Sequence, residues 1–303
     1  MVNQIIGAVE LGLVYGLMVL GVFITFRILK IPDLTVDGSV TLGMAVCAML
    51  TNAGHPLLAI IIAFIAGLCA GSVTGFFQTK IHIPPILAGI LTMSGLYSIN
   101  LKIMSDGKPN ISILGSDTLY SNLMQLTGCS KHTAYLIVSL IICVIVLIAV
   151  EFFFKTHLGL CICATGDNED MVRATSIDSN KMKWIALALA NGCVALSGAM
   201  YTQYMGYADV TAGSGTIVVG FASVIIGETI CGKRGLSVGF ISAIVGSVAY
   251  RIIIAIAIKT NLFPTYFLKL VSVIIIAIAL GLGPVRAAFA AKRNKTRRQK
   301  ANA

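Results

Sequence analysis

Charge is scarce in this sequence: of 303 residues only 11% are Asp, Glu, Lys or Arg, and only 12 are acidic. A soluble globular domain carries about 25% charged and about 45–50% apolar residues, whereas here the apolar share is 57% and the mean hydropathy +0.93. An ordinary soluble domain is excluded, and the chain reads as an integral membrane protein. Motifs of nucleotide and metal chemistry are missing as well. Neither G-x-x-x-x-G-K-[ST] nor H-E-x-x-H occurs, so no loop would cradle phosphates and no helix would present two histidines to zinc. No catalytic constellation emerges, and the chain is not expected to be an enzyme.

Cysteine is present but not in a ligand pattern. Of eight cysteines, Cys47, Cys69, Cys129, Cys143, Cys193 and Cys231 lie in or beside apolar runs, which suits small packing residues. Cys161 and Cys163 form a C-x-C near His157, yet a metal site normally needs four ligands, so no metal is expected. The formal charge of +10 is largely local, since seven basic residues fall between Arg286 and Lys300. Without aromatic or motif context they do not make a nucleic-acid surface. They read as a basic cytoplasmic tail, 286–303, behind a single transmembrane domain of 1–285.

Candidate spans fall at 4–26, 38–53, 56–77, 85–104, 133–154, 184–205, 216–231, 236–258 and 264–283. A bilayer crossing takes about 20 residues, so an all-α polytopic fold with about nine helices, within a range of eight to ten, is expected. The first run begins almost at Met1 without a basic leader or a small-residue cleavage site, and reads as a retained span. An odd count sets the termini on opposite faces. Placing the tail inside puts sixteen basic residues on that face, against Lys102, Lys108, Lys131 and Lys259 on the other, the bias expected of cytoplasmic loops. The N-terminus is then outside and the C-terminus cytoplasmic. The outer interval 105–132 should be turn-rich and closed by an interfacial helix over TLYSNLMQLTG.

Two of the spans, 38–53 and 216–231, are short. The polar stretches before them resemble each other: Asp33-Leu34-Thr35 is echoed by Asp209-Val210-Thr211, and Gly38-Ser39 by Gly213-Ser214, with Gly43 and Gly220 following. On the topology above, one copy enters from inside and the other from outside, as in two inverted halves with short or broken helices near the midplane. Unwound backbone there can meet a polar solute. The candidate solute pathway therefore comprises Asp33, Thr35, Asp37, Gly38 and Ser39 with Asp209, Thr211, Gly213 and Ser214. Arg251 joins it as an intramembrane charge, able to contact a carboxylate or to pair with an acid such as Asp209. Glu228 stands beside Lys233 and Arg234, where local pairing is expected.

Between spans, the interval 155–183 is the most polar of the chain. Gly166 is expected to break the backbone, Asp167 to cap the amides that follow, and Asp170 to complete an imitation of a capping box. Roughly ten residues are too few for a helix stable alone, which suits docking into a soluble partner. The candidate coupling residues are Gly166, Asp167, Asn168, Glu169, Met171, Arg173 and Ala174.

These features resemble the permease subunits of ATP-binding-cassette importers of the branched-chain amino acid type. The opening GLVYGLMVLGVFITFRILKIPDLTVDGSVTLGMAV is similar to that family's glycine-rich span leading through a polar Asp–Gly segment. The stretch HLGLCICATGDNEDMVRATSIDSNKMKWIALALANGCVALSGAMY resembles its cytoplasmic coupling segment. PDLTVDGS departs from the usual branched-chain form and looks like a sub-branch for other amino acids, aromatic ones among them. The resemblance implies import of a small polar solute, most simply an amino acid, across a bacterial inner membrane. It also implies a second copy of the permease or a close paralogue, two cytosolic ATP-binding subunits and an extracytoplasmic solute-binding protein. No cofactor is bound by this chain; ATP and Mg belong to the partner ATPase. The alternative is an ion-coupled secondary transporter, which shares inverted repeats but needs a coupling acid, for which Asp33, Asp37 and Asp209 stand available.

Overall fold

The computed structural model describes residues 2–104, 107–232 and 235–259, with the single positions 270, 273 and 277. A continuous apolar run makes α1 (Val2–Phe23), which passes into a π-helical stretch at Ile24–Ile28. Lys30, at φ 57°, turns the chain into a polar link before α2 (Val36–Asn52). α3 (Pro56–Thr79) and α4 (Pro85–Ile103) each open on proline, where the missing N–H costs nothing. The outer interval holds β1 (Asn110–Ser112) and α5 (Leu119–Thr127), the latter started by a reciprocal Thr118–Ser121 cap and stopped by left-handed Gly128. Then come α6 (Lys131–Lys155), α7 (His157–Asp167), α8 (Glu169–Ala174) and α9 (Ser179–Met205). β2 (Tyr207–Asp209), α10 (Thr216–Cys231) and α11 (Gly235–Lys259) complete the described chain.

Among the described residues six helices are long and apolar enough to cross a membrane: Asn3–Ile28, Pro56–Thr79, Pro85–Ile103, Lys131–Lys155, Ser179–Met205 and Gly235–Lys259. α10 is apolar but has 16 residues, and α2 has 17. These eight helices occupy the places of the first eight expected segments. The ninth, 264–283, lies outside the described residues but for three single positions, and the tail 286–303 lies wholly outside them. The chain is a polytopic helical membrane protein.

The long helix α9 is the axis on which α1, α2 and α3 pack. In lipid the apolar effect between helices is weak, so contact comes from close backbone approach at small residues. Gly67, Gly71 and Gly75 make such a seam on α3, set against the backbone or ring of Asn191, Leu187 and Trp184. Gly227 of α10 and Gly246 of α11 pack reciprocally on the carbonyls of Ser242 and Ser223. Hydroxyls add bonds between helices: Ser197 donates to the Val14 carbonyl and Ser247 to that of Gly12, each at 2.8 Å. β1 and β2 pair antiparallel, with Asn110 opposite Asp209 and Ser112 opposite Tyr207. This pairing, not evident in the sequence pattern, fastens the outer interval to the end of α9 beside the second Asp-x-Thr stretch.

Candidate functional site

Both Asp-x-Thr stretches make the same local bond. Asp33 Oδ1 accepts the Thr35 N–H at 2.9 Å, and Asp209 Oδ1 accepts the Thr211 N–H at 2.6 Å. Each is a side chain imitating a turn two residues ahead. The two stretches also meet. Asp37, in the first turn of α2, caps the start of α10: its Oδ2 accepts from the Gly215 N–H (2.8 Å), and its Oδ1 from the Thr216 hydroxyl (3.0 Å) and the Ile217 N–H (2.9 Å). A carboxylate there satisfies amides left over at a helix start and suits the positive end of its dipole. Gly213 sits directly on the Asp37 carbonyl and Thr41 hydroxyl, an approach that a side chain would prevent.

Beside this junction lies an open cavity of about 530 Å³. Asp37, Gly38 and Thr41 of α2 line it, with Val210, Thr211 and Ser214 from the link before α10. The third wall is one face of α4: Met93, Ser94, Tyr97 and Asn100. Of the candidate pathway residues, the structure thus brings Asp37, Gly38, Thr211 and Ser214 to one cavity. The α4 residues were not expected, because a search restricted to ionisable side chains passes over a neutral amide or hydroxyl in an apolar run; Asn100 in LYSINLKI was the available signal.

The remaining candidates go elsewhere. Asp33, 1% exposed, takes the Asn191 amide on Oδ2 at 2.7 Å, and Ser39 donates to the other end of that amide at 2.7 Å. Thr35 joins Thr74 at 2.8 Å, and Thr74 donates to Thr92 at 3.0 Å. These groups are a buried brace between α2, α3, α4 and α9, and they do not line the cavity. Asp209 holds its own turn at the strand end. Arg251 does not pair with Asp209: its guanidinium lies 3.7 Å over the Tyr15 ring, an aromatic face that attracts a cation. Glu228 pairs with Arg27 through both oxygens; Lys233 and Arg234, its expected partners, lie outside the described residues. Glu10 was passed over, although an acid inside the expected span 4–26 is the same kind of signal as Arg251; it is fully buried, accepting from the Tyr204 hydroxyl at 3.0 Å and meeting His132 Nδ1 at 3.1 Å. Residues 235–239 read G-L-S-V-G, but Ser237 lies in α11 and donates to Glu151 at 2.8 Å, so it is not placed as a nucleophile.

Across 155–183 the expected start of the short helix is displaced. Gly166 does not break the backbone: it lies inside α7, where its lack of a side chain lets the helix rest on the Ile28 carbonyl. Asp167 pairs with Lys30 at 2.7 Å, and the cap is Asn168, accepting the Met171 N–H at 3.0 Å. α8 is only six residues long, so tertiary contacts must hold it. Val172 is its buried anchor. Glu169 is its hub, reaching Arg173 and Lys183 at 2.6 Å each and the Ser179 hydroxyl at 3.1 Å. Partial burial would raise the Glu169 pKa, but the Lys183 bond and charge, Ser179 and Arg173 outweigh it and hold the carboxyl below its usual range. Glu169 and Arg173 are therefore tied to the start of α9, leaving Met171, 58% exposed, and exposed Ala174 as the free face.

A family model described as branched-chain amino acid transport system / permease component matches residues 4–280. The chain is 37% identical over 282 residues to a protein of Clostridioides difficile named tyrosine transport system permease protein, covering 93% of this chain and 92% of the other. It is 26% identical over 228 residues to a probable ABC transporter permease protein of Sinorhizobium fredii, covering 73% and 64%. Against a ribose import permease protein of Escherichia coli K12 it is 26% identical over 240 residues, covering 78% and 73%. No solved structure matches.

Proposed function

The chain belongs to the family of permease components of branched-chain amino acid transport systems, and from that premise we propose that it carries an amino acid, of the aromatic type, into a bacterial cell. It is the membrane permease subunit of an ATP-binding-cassette importer; hydrolysis of ATP with Mg belongs to a partner. The family match favours this over an ion-coupled carrier. We read the complete assembly as two permease chains, identical or closely paralogous, two cytosolic ATP-binding subunits and an extracytoplasmic solute-binding protein. The chain itself would cross the inner membrane nine times, N-terminus outside and C-terminus inside, as two inverted halves.

The observation that carries the reading is the junction at Asp37. Asp37, just after the first Asp-x-Thr turn, caps the short helix that follows the second, beside a polar cavity lined by the start of α2 and the link before α10. Two short helices starting against each other around a polar space suit a solute path through lipid. Asp37, Gly38, Thr211 and Ser214 would face the solute; Asp33, Thr35, Ser39 and Gly213 would hold the walls, and Asp209 the rim. Coupling would run through 166–174, with Met171 and Ala174 seated on the ATPase and Gly166, Asp167, Asn168, Glu169 and Arg173 fixing the segment beneath. Radiolabelled tyrosine uptake by proteoliposomes holding the complete importer tests the reading. Uptake should require ATP and the binding protein, and the ATPase should co-purify with the permease and be lost with Ala174→Trp. Uptake driven by an ion gradient without ATP would reject it.

A further inference from the structure

Asn100 is a buried amide whose hydrogen bonding is half complete. It lies on α4 at the wall of the cavity and is 1% exposed. Its Nδ2 donates to the Gly38 carbonyl at 3.3 Å, while its Oδ1 has no hydrogen-bond partner among the described residues. A buried acceptor without a donor is unfavourable unless a group arrives to fill it. The other lining groups do not supply one. Asp37 is itself an acceptor, already taking three bonds from the start of α10, and the Thr41 hydroxyl donates to the Asp37 carbonyl at 3.0 Å. Among the described residues lining the cavity there is no Lys, Arg or His. The space thus holds one carboxylate, with the hydroxyls of Ser94, Tyr97, Thr211 and Ser214 able to accept as well as donate, and Met93 and Tyr97 of the same α4 face offer apolar contact.

On the reading above, we infer that this cavity takes the ammonium end of a zwitterionic amino acid, with Asn100 Oδ1 as its acceptor and Met93 and Tyr97 along its side chain. The permease itself then selects for a free amine, in addition to whatever selection the solute-binding protein makes. The absence of a cation matters as much. Among the described lining residues none holds a solute carboxylate by charge, so the solute is recognised there at its ammonium end and can leave, as transport requires.

Ser94 is exposed on the same face, so Ser94→Cys supplies a thiol at the cavity wall. Labelling in membrane vesicles holding the assembled importer is read against the chain without that substitution, which removes the signal of the native cysteines. A cationic ethylammonium methanethiosulfonate should react at least fivefold faster than its anionic sulfonate counterpart. Tyrosine should slow the reaction, and its des-amino analogue should not. Adding Asn100→Leu should abolish protection by tyrosine while the ATPase still co-purifies; if that double variant fails to assemble, the analogue comparison on Ser94→Cys alone decides. Equal protection by tyrosine and the des-amino analogue, or protection that survives Asn100→Leu, would overturn the inference and leave the importer reading intact. An importer that neither retains its ATPase nor takes up tyrosine would overturn both.

Discussion

The turn at Asp33 and the turn at Asp209 are built by the same hydrogen bond, a carboxylate oxygen accepting the N–H two residues on, yet they serve different ends. Asp33 is buried and its second oxygen takes the Asn191 amide of α9. Asp209 is partly exposed at the edge of β2, and its second local bond comes from Thr211 itself. The difference teaches that the three-residue pattern specifies the turn, while the helix packed against it specifies the role. Local bonding depends on residues two apart; burial depends on partners far along the chain.

The largest effect is expected at the buried turn. Asp33→Ala would leave one Asn191 amide hydrogen and the Thr35 N–H without their acceptor in the interior, a loss of about 3 kcal/mol, read as a lower melting temperature of the solubilised protein. Asp37→Ala, which uncaps α10, should cost about 1–2 kcal/mol and reduce uptake as well, since the cap forms the cavity wall. Asp209→Ala should cost about 1 kcal/mol or less, as one solvated turn is lost. Equal losses at Asp33 and Asp209 would break the comparison.

The smallest effect lies away from both turns. Because the Glu169 carboxyl is held below its usual range, its ion pairs contribute stability above the ordinary glutamate value of about 4.3, and that contribution is lost as pH falls through the lowered value. The difference in melting temperature between the parent chain and Glu169→Gln should therefore shrink on acidification. A difference that grows as pH falls would contradict the sign.

Much of the fold was legible because lipid imposes it. Continuous apolar runs yield α1, α3, α4, α6, α9 and α11 with ends shifted by a few residues, and the shortness of α2 and α10 was visible too. The echo between the Asp-x-Thr stretches pointed to two pieces of chain that do meet, at Asp37. What stayed hidden was set by distant contacts. Gly166 reads as a helix breaker in sequence but acts as a contact point for Ile28, and Arg251 found the Tyr15 ring rather than an acid. Asn191 and Asn100 carry no charge to draw notice, and their importance comes from Asp33 and Gly38, 158 and 62 residues away.

The proposed path takes the solute through the cavity where α2 and the link before α10 meet. Ser214 lines that cavity, is exposed, and lies in the link rather than in a packed helix, so Ser214→Trp can fill the space with little strain on the fold. ATP-driven tyrosine uptake by proteoliposomes holding this variant should fall at least tenfold, with the melting temperature and the co-purifying ATPase unchanged. Uptake at the parent rate from a folded, assembled Ser214→Trp importer would contradict the claim.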